Sequence, residues 1–232
     1  MVKSLIIVTS AVFLLTYIPA VVFHWGLPFE FLSLRPYAVT RYGFLWQPFT
    51  YLFLHGGWFH IIFNMFALWM FGSDLEGVWG GQQFLFYYFL TGVGAGLVDV
   101  LLEPGSTVPT IGCSGAIFGL LVAYGVLFPD RLIYLYMLIP VKAKWFVVIM
   151  GLIEVVNEFG QPGSGVSHIA HLGGLVVGFI YLKGWPKGWG VRGGVRGRYD
   201  DWKRARLRRK FEVYMRKKER PEGKDDAGRW IN

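Results

Sequence analysis

The chain has 232 residues, of which 54% are hydrophobic and only 16% charged, against roughly 25% charged in soluble domains. A soluble globule of this length cannot hide that much apolar surface, so disordered, fibrous and ordinary soluble classes are excluded and an integral membrane protein is indicated. The formal charge of +8 belongs to one end: six of the 23 basic and eight of the 15 acidic residues fall in 1–182, leaving that stretch at −2 and the remainder at +10.

A membrane-spanning helix needs about 20 mostly apolar residues. Residues 5–23 satisfy this behind a lone Lys3, and without a small-residue cleavage site they read as an uncleaved first span. Residues 24–57 form a long aromatic connection with Pro28, Pro36 and Pro48. Spans two and three are expected at 58–75 and 83–102, followed by a Pro/Gly loop at 104–109. Span four runs 114–128 and is stopped by Pro129 and Asp130. Lys142 and Lys144 push span five to 144–158, with 130–143 as an inner-face connection. A turn at 161–165 leads into span six at 166–182.

Six spans put both termini on one side. Lys3, Arg131, Lys142, Lys144 and the basic end share that side, which the positive-inside rule assigns to the cytoplasm. Arg35 and Arg41 fall outside, in a loop long enough for the rule to be weak. The expected domains are a six-span unit at 1–183 and a basic, cytoplasmic Gly/Arg-rich linker and tail at 184–232, in a multi-pass protein of the plasma membrane. Within the tail, 199–219 read as a basic helix with Leu207, Phe211, Tyr214 and Met215 on one face. Anionic lipid headgroups are its expected partner, at roughly 1 kcal/mol per basic residue. No nucleic-acid partner is expected.

Polar groups inside spans are expensive and mark functional sites by default. Span two opens with His55, His60 and Asn64, the last two four residues apart and so on one helix face. Span four opens with Gly112, Cys113, Ser114 and Gly115, and span six holds His168 and His171 ahead of Gly173 and Gly174. All three clusters lie at outer helix ends. Small-residue stripes, Gly115 with Gly119 and Gly174 with Gly178, let helix backbones approach closely. Close packing of spans four and six would carry the Ser114 hydroxyl to the His171 ring, where an imidazole could take its proton. The Ser114 backbone N–H and the His60 and Asn64 side chains could then serve as oxyanion donors.

These residues resemble a rhomboid intramembrane serine protease: Gly-x-Ser-Gly opening one span, Ala-His-x-x-Gly in the last and His-x4-His-x3-Asn in the second. The resemblance covers residues 1–182 and implies a six-helix bundle with an outward-open polar active-site cavity. It implies Ser114 as nucleophile and His171 as general base in a dyad without a third carboxylate, with His60 and Asn64 at the oxyanion. His55 would be a supporting group near the site's water, with Gly112 and Gly115 shaping the backbone. Phe118 replaces the tyrosine packed on the imidazole. Trp46 stands where the family has a Trp-Arg pair, with Gln47 in place of the arginine, and Glu76 matches a loop-anchoring glutamate. Transmembrane proteins would be the substrates and no cofactor or metal is implied.

Plainer roles compete with these. Ser114 could be a helix N-cap, Asn64 an interhelical hydrogen-bonding group and Cys113 a packing residue. His168 reads as water-facing, His24 as interfacial, and Asp99 and Glu103 as solvated end charges in preference to the third member of a triad. At the level of the whole protein, two alternatives stand. One is a metal transporter or channel using His55, His60, His168 and His171, against which no intramembrane carboxylate cluster stands out in the sequence. The other is a non-catalytic rhomboid-like protein that binds membrane proteins.

Overall fold

The computed structural model describes residues 1–24, 26–135, 138–160 and 167–184, with seven residues between 204 and 215. The 161–165 turn and most of the 184–232 tail lie outside the described residues. The chain divides into two units, Met1–Pro186 and Lys187–Asn232. In the second, the described residues, Leu207, Phe211, Tyr214 and Met215 among them, are helical.

The first unit is mostly helical, and its long helices fall at the six expected places. They are α1 (Val2–Val22), the run Trp58–Trp79, α7 (Gly81–Leu102), α8 (Ser114–Leu127), α9 (Ala143–Gly160) and α10 (His168–Gly184). Among the described residues α1, Trp58–Trp79 and α7 are long and apolar enough to cross a membrane. The run Trp58–Trp79 is α5 (Trp58–Ala67), a π-turn over Leu68–Gly72, and α6 (Ser73–Trp79).

α8 is the axis of the bundle. It packs on α7, α9, α10 and the π-turn, and every residue from Gly115 to Gly125 is buried. A helix that is apolar all round has no solvent face, so it belongs at the centre. Its 14 residues span about 21 Å at 1.5 Å each, short of the roughly 30 Å hydrocarbon core. The loop after α7 must therefore dip into the bundle to reach Ser114. It is stitched there by the paired backbones of Leu34 and Thr110 and by Gly112 N–H donating to the Tyr51 carbonyl at 2.9 Å.

The long connection 24–57 is more ordered than its prolines suggest. It folds into α2 (Leu27–Leu32), α3 (Pro36–Tyr42), α4 (Gln47–Thr50) and a 3-10 turn at Tyr51–Phe53. Pro28, Pro36 and Pro48 each occupy the first or second position of a helix. The missing N–H would be unpaired there in any case, so proline starts these helices instead of breaking them.

The connection 130–143 holds a feature the sequence reading lacked: an antiparallel hairpin of β1 (Leu132–Leu135) and β2 (Ile139–Lys142). Ile133 is buried while Leu132 and Tyr134 are exposed, the two-residue alternation of a half-buried strand. Asp130 sits between Lys142 (3.4 Å) and Lys144 (3.2 Å), which hold its carboxyl below the usual carboxylate range. Arg131 pairs with Asp74 at 2.7 Å.

Candidate active site

α8 and α10 meet where their glycines face. A methyl at Gly174 would collide with the Gly115 carbonyl, and one at Gly178 would stand 3.2 Å from the Gly119 Cα. Glycine removes those methyls and the two backbones touch. Ser114, the first residue of α8, then presents Oγ 2.6 Å from His171 Nε2 on α10. Ser114 is not the N-cap. Cys113 holds that position and makes no side-chain cap bond, so the first backbone N–H groups of α8 have no intrahelical partner.

The imidazole of His171 is held on three sides. Phe118, one turn along α8 from Ser114, stacks on its face with centroids 4.5 Å apart and planes 18° from parallel. Ser114 takes Nε2. At the other nitrogen Glu154 of α9 brings Oε2 to 2.9 Å from Nδ1, although that nitrogen lies off the direction of a regular hydrogen bond. The same carboxylate oxygen accepts from His168 Nδ1 at 2.5 Å. His168 is thus 8% exposed and bonded to Glu154, not water-facing as its place at a helix end suggested. A carboxylate does stand beside the histidines, contrary to the sequence reading of a carboxylate-free pair.

Asp99 is likewise no solvated end charge. It is 2% exposed, and its two oxygens accept from Ser167 Oγ and Thr110 Oγ1, each at 2.8 Å. Ser167 Oγ in turn accepts from the Ala170 N–H at 3.0 Å, a cap on the first turn of α10. Asp99 therefore ties α7 both to the start of the histidine helix and to the loop that leads into Ser114.

Above Ser114 lies a cavity of about 820 Å³ whose polar lining includes His60, Asn64, Ser114, Ser167 and His171, with Trp58, Phe59 and Phe63 among its aromatic walls. Gly112 lies against the His60 ring. Its φ is +106° and a Cβ there would sit 2.7 Å from His60 Nε2, so both conformation and space demand glycine. Gly56 N–H donates to His60 Nδ1 at 3.4 Å, which leaves Nε2 to carry the ring proton. Asn64 Nδ2 donates to the His60 carbonyl at 3.0 Å, leaving its second amide hydrogen free for the cavity.

The other residues singled out lie outside this group. His55 is fully buried behind His60, ring centroids 4.9 Å apart, with Nε2 3.7 Å from Cys113 Sγ. It does not line the cavity. Burial, with the nearby His60 adding to it, pushes its pKa down to about 3, so it is neutral. Trp46 donates from Nε1 to the Phe31 carbonyl. Gln47, 1% exposed, accepts from Arg35 N–H at 3.0 Å and donates to the Phe31 carbonyl at 3.3 Å. A neutral amide thus anchors the first loop. Glu76 accepts from the Met1 amino group at 2.5 Å and from Val2 N–H at 3.0 Å, tying α6 to α1.

Residues 42–185 match the family model described as the Rhomboid domain. The chain belongs to the rhomboid family. Among its relatives, rhomboid-like protease 5 of Toxoplasma gondii is 32% identical over 149 residues, covering 62% of this chain and 16% of that protein. Rhomboid-like protein 11, chloroplastic, of Arabidopsis thaliana is 35% identical over 159 residues, 59% of this chain and 51% of the relative. Rhomboid protease GluP of Bacillus subtilis is 32% identical over 148 residues, 62% of this chain and 26% of the relative. The chain thus spans about half or less of the length of these relatives.

This rhomboid is an integral membrane protein. The matched region runs from before Trp46 to beyond His171 and holds every residue assigned to the site, whereas α1, α2 and the tail fall outside it. Sequence reasoning missed Glu154. Its signal was available: a carboxylate midway along a helix otherwise apolar from Trp145 to Val156, which costs too much to stand unpaired in a membrane.

Proposed function

We propose that this rhomboid is an intramembrane serine endopeptidase that cuts peptide bonds in or near transmembrane helices of other proteins. The observation that carries the reading is the 2.6 Å contact of Ser114 Oγ with His171 Nε2 on the cavity floor. Serine is a weak nucleophile until a base takes its proton, and His171 is placed to do so. Ser114 Oγ attacks the scissile carbonyl as its proton passes to Nε2. The developing oxyanion is met by the Ser114 N–H, the His60 Nε2–H and the Asn64 amide. His171 then returns the proton to the leaving amine, and water entering through the cavity releases the acyl group by the same steps in reverse. Phe118 keeps the ring from tilting away from Oγ.

A helical substrate hides its peptide bonds, so it must unwind locally to reach Ser114. Only protein-lined, water-filled space permits such backbone at membrane depth, and the cavity provides it. On this reading both termini lie in the cytoplasm and the basic tail on anionic lipid of the plasma membrane; the positive charge of Arg131, Lys142 and Lys144 near the hairpin supports it. The test is reaction of the purified protein with a serine-directed phosphonate, followed by peptide mapping. Modification of Ser114, absent in His171→Ala, is the expected result. An unmodified Ser114 in folded protein would favour the non-catalytic binder.

One observation favours a metal-binding reading: donor atoms of Glu154, His168 and His171 lie within 4.8 Å of one another. Metal analysis of the purified protein separates the two, since a transporter retains or binds a divalent ion at this cluster and the protease needs none.

A further inference from the structure

We propose that Glu154 is a positioning residue for His171, and that His168 in turn holds Glu154, so that the working unit is Ser114–His171–Glu154 buttressed by a second histidine. The inference rests on the protease reading for its kinetic consequences, and the geometry behind it stands independently. For Nε2 to accept the Ser114 proton, the neutral ring must carry its own hydrogen on Nδ1. That nitrogen is buried from solvent, so water cannot select the tautomer. The one anionic oxygen beside it, among the described residues, is Glu154 Oε2 at 2.9 Å.

The surroundings of Glu154 argue that its position is selected for this contact. Of the described residues of α9 only Ala143 and Glu154 are buried, while Val148, Leu152, Val155, Val156 and Phe159 are exposed. A helix with so sparse an inward face nevertheless turns a carboxylate inward. Glu154 is 6% exposed, in a setting where an unpaired charge is costly. His168, one helical turn before His171, fixes the carboxylate by donating Nδ1–H to the oxygen that faces His171. Other polar groups around the ring have different engagements. Asp99 is occupied by Thr110 and Ser167, His60 faces the cavity and Ser114 takes Nε2.

The resting contact is close but poorly aligned. It improves when His171 becomes an imidazolium, because attraction between a cation and the buried carboxylate then draws Nδ1–H onto Oε2. An interaction stronger in the transition state than in the ground state raises kcat and leaves KM alone. Loss of the carboxylate from a well-aligned Ser-His-carboxylate triad lowers kcat by about 10⁴-fold; the imperfect alignment here sets the expected loss lower, at about 10²-fold.

The experiment uses the full chain in neutral detergent with a transmembrane substrate, measuring kcat and KM for wild type, Glu154→Gln, Glu154→Asp, His168→Ala, His168→Asn and Ser114→Ala. Glu158→Gln, the same charge change on the same helix, is the control and keeps wild-type rates. Glu154→Gln is expected to lose about 10²-fold in kcat with KM within about twofold, and Glu154→Asp to recover part of the loss. His168→Ala is expected to lose about tenfold, and His168→Asn, which places an N–H near the position of Nδ1, to restore it. Nitrogen-15 NMR of labelled histidines supplies a readout that needs no substrate: His171 is a single Nδ1–H tautomer in the wild type and a mixture in Glu154→Gln. Unchanged kcat and tautomer in Glu154→Gln overturn the inference, as does a loss confined to KM or to thermal stability. Turnover by Ser114→Ala sinks the protease reading instead, whatever the NMR shows.

Discussion

Replacing Gly174 by alanine tests whether the site depends on the contact between α8 and α10 more than on the chemistry of its side chains alone. The added methyl would run into the Gly115 carbonyl oxygen and stand 2.9 Å from its carbon and 3.3 Å from its Cα. These are backbone atoms of a buried helix, so no side chain can rotate away. The helices must part by about 1 Å or more to restore ordinary contact in an interior packed as densely as a crystal. Ser114 adjoins Gly115 and His171 lies one turn before Gly174, so the separation is transmitted to the 2.6 Å Oγ···Nε2 contact. Opening that contact by about 1 Å carries it past hydrogen-bonding range. A misplacement of that size costs about 10²-fold in rate, and overpacking costs about 1–3 kcal/mol of stability. Gly178→Ala is the contrast: its methyl presses first on the hydroxyl of Tyr87, at 2.6 Å, and stands 3.2 Å from Gly119 Cα, so the clash with backbone is milder. Steady-state cleavage of a transmembrane substrate, phosphonate labelling of Ser114 and thermal unfolding together read the result. Wild-type kcat in a folded Gly174→Ala protein would refute the reasoning.

His60→Ala and Asn64→Ala should each lower kcat by about 10²–10³-fold with little change in KM, as befits lost oxyanion donors; an effect confined to KM in steady-state assays contradicts the role. His55 gives a pH signature through stability. Its pKa falls from 6.5 to about 3 on folding, so the unfolded chain binds the extra proton and stability drops as pH falls from about 6.5 towards 3. His55→Gln should flatten part of that slope in denaturation series across pH, and an unchanged slope argues that His55 is not buried neutral. Removal of residues 190–232 should leave cleavage intact in neutral detergent and change it in anionic bilayers in a salt-dependent way, since exposed charges are screened beyond about 8–10 Å at physiological salt. Loss of activity in neutral detergent would show that the tail serves the fold.

The sequence by itself determined the class, the spans and the position of the candidate site along them, because the signals involved are local. An apolar run of fixed length states a helix, His60 and Asn64 share a face through a four-residue spacing, and paired glycine stripes announce that two backbones touch. The prolines of the first connection were legible as punctuation but not as helix starts, since the same residue ends one helix and opens another. Gln47 read as a missing arginine until its neutral amide was found between Arg35 and Phe31. Only the tertiary structure decided what flanks the imidazole. Glu154 lies 14 residues from His168 and 17 from His171 in sequence, and no helical period connects them. Whether its carboxylate faces lipid or the two rings depends on how far α9 is rotated about its own axis against α10. That rotation is fixed by packing between helices, a property that no spacing within either helix can carry.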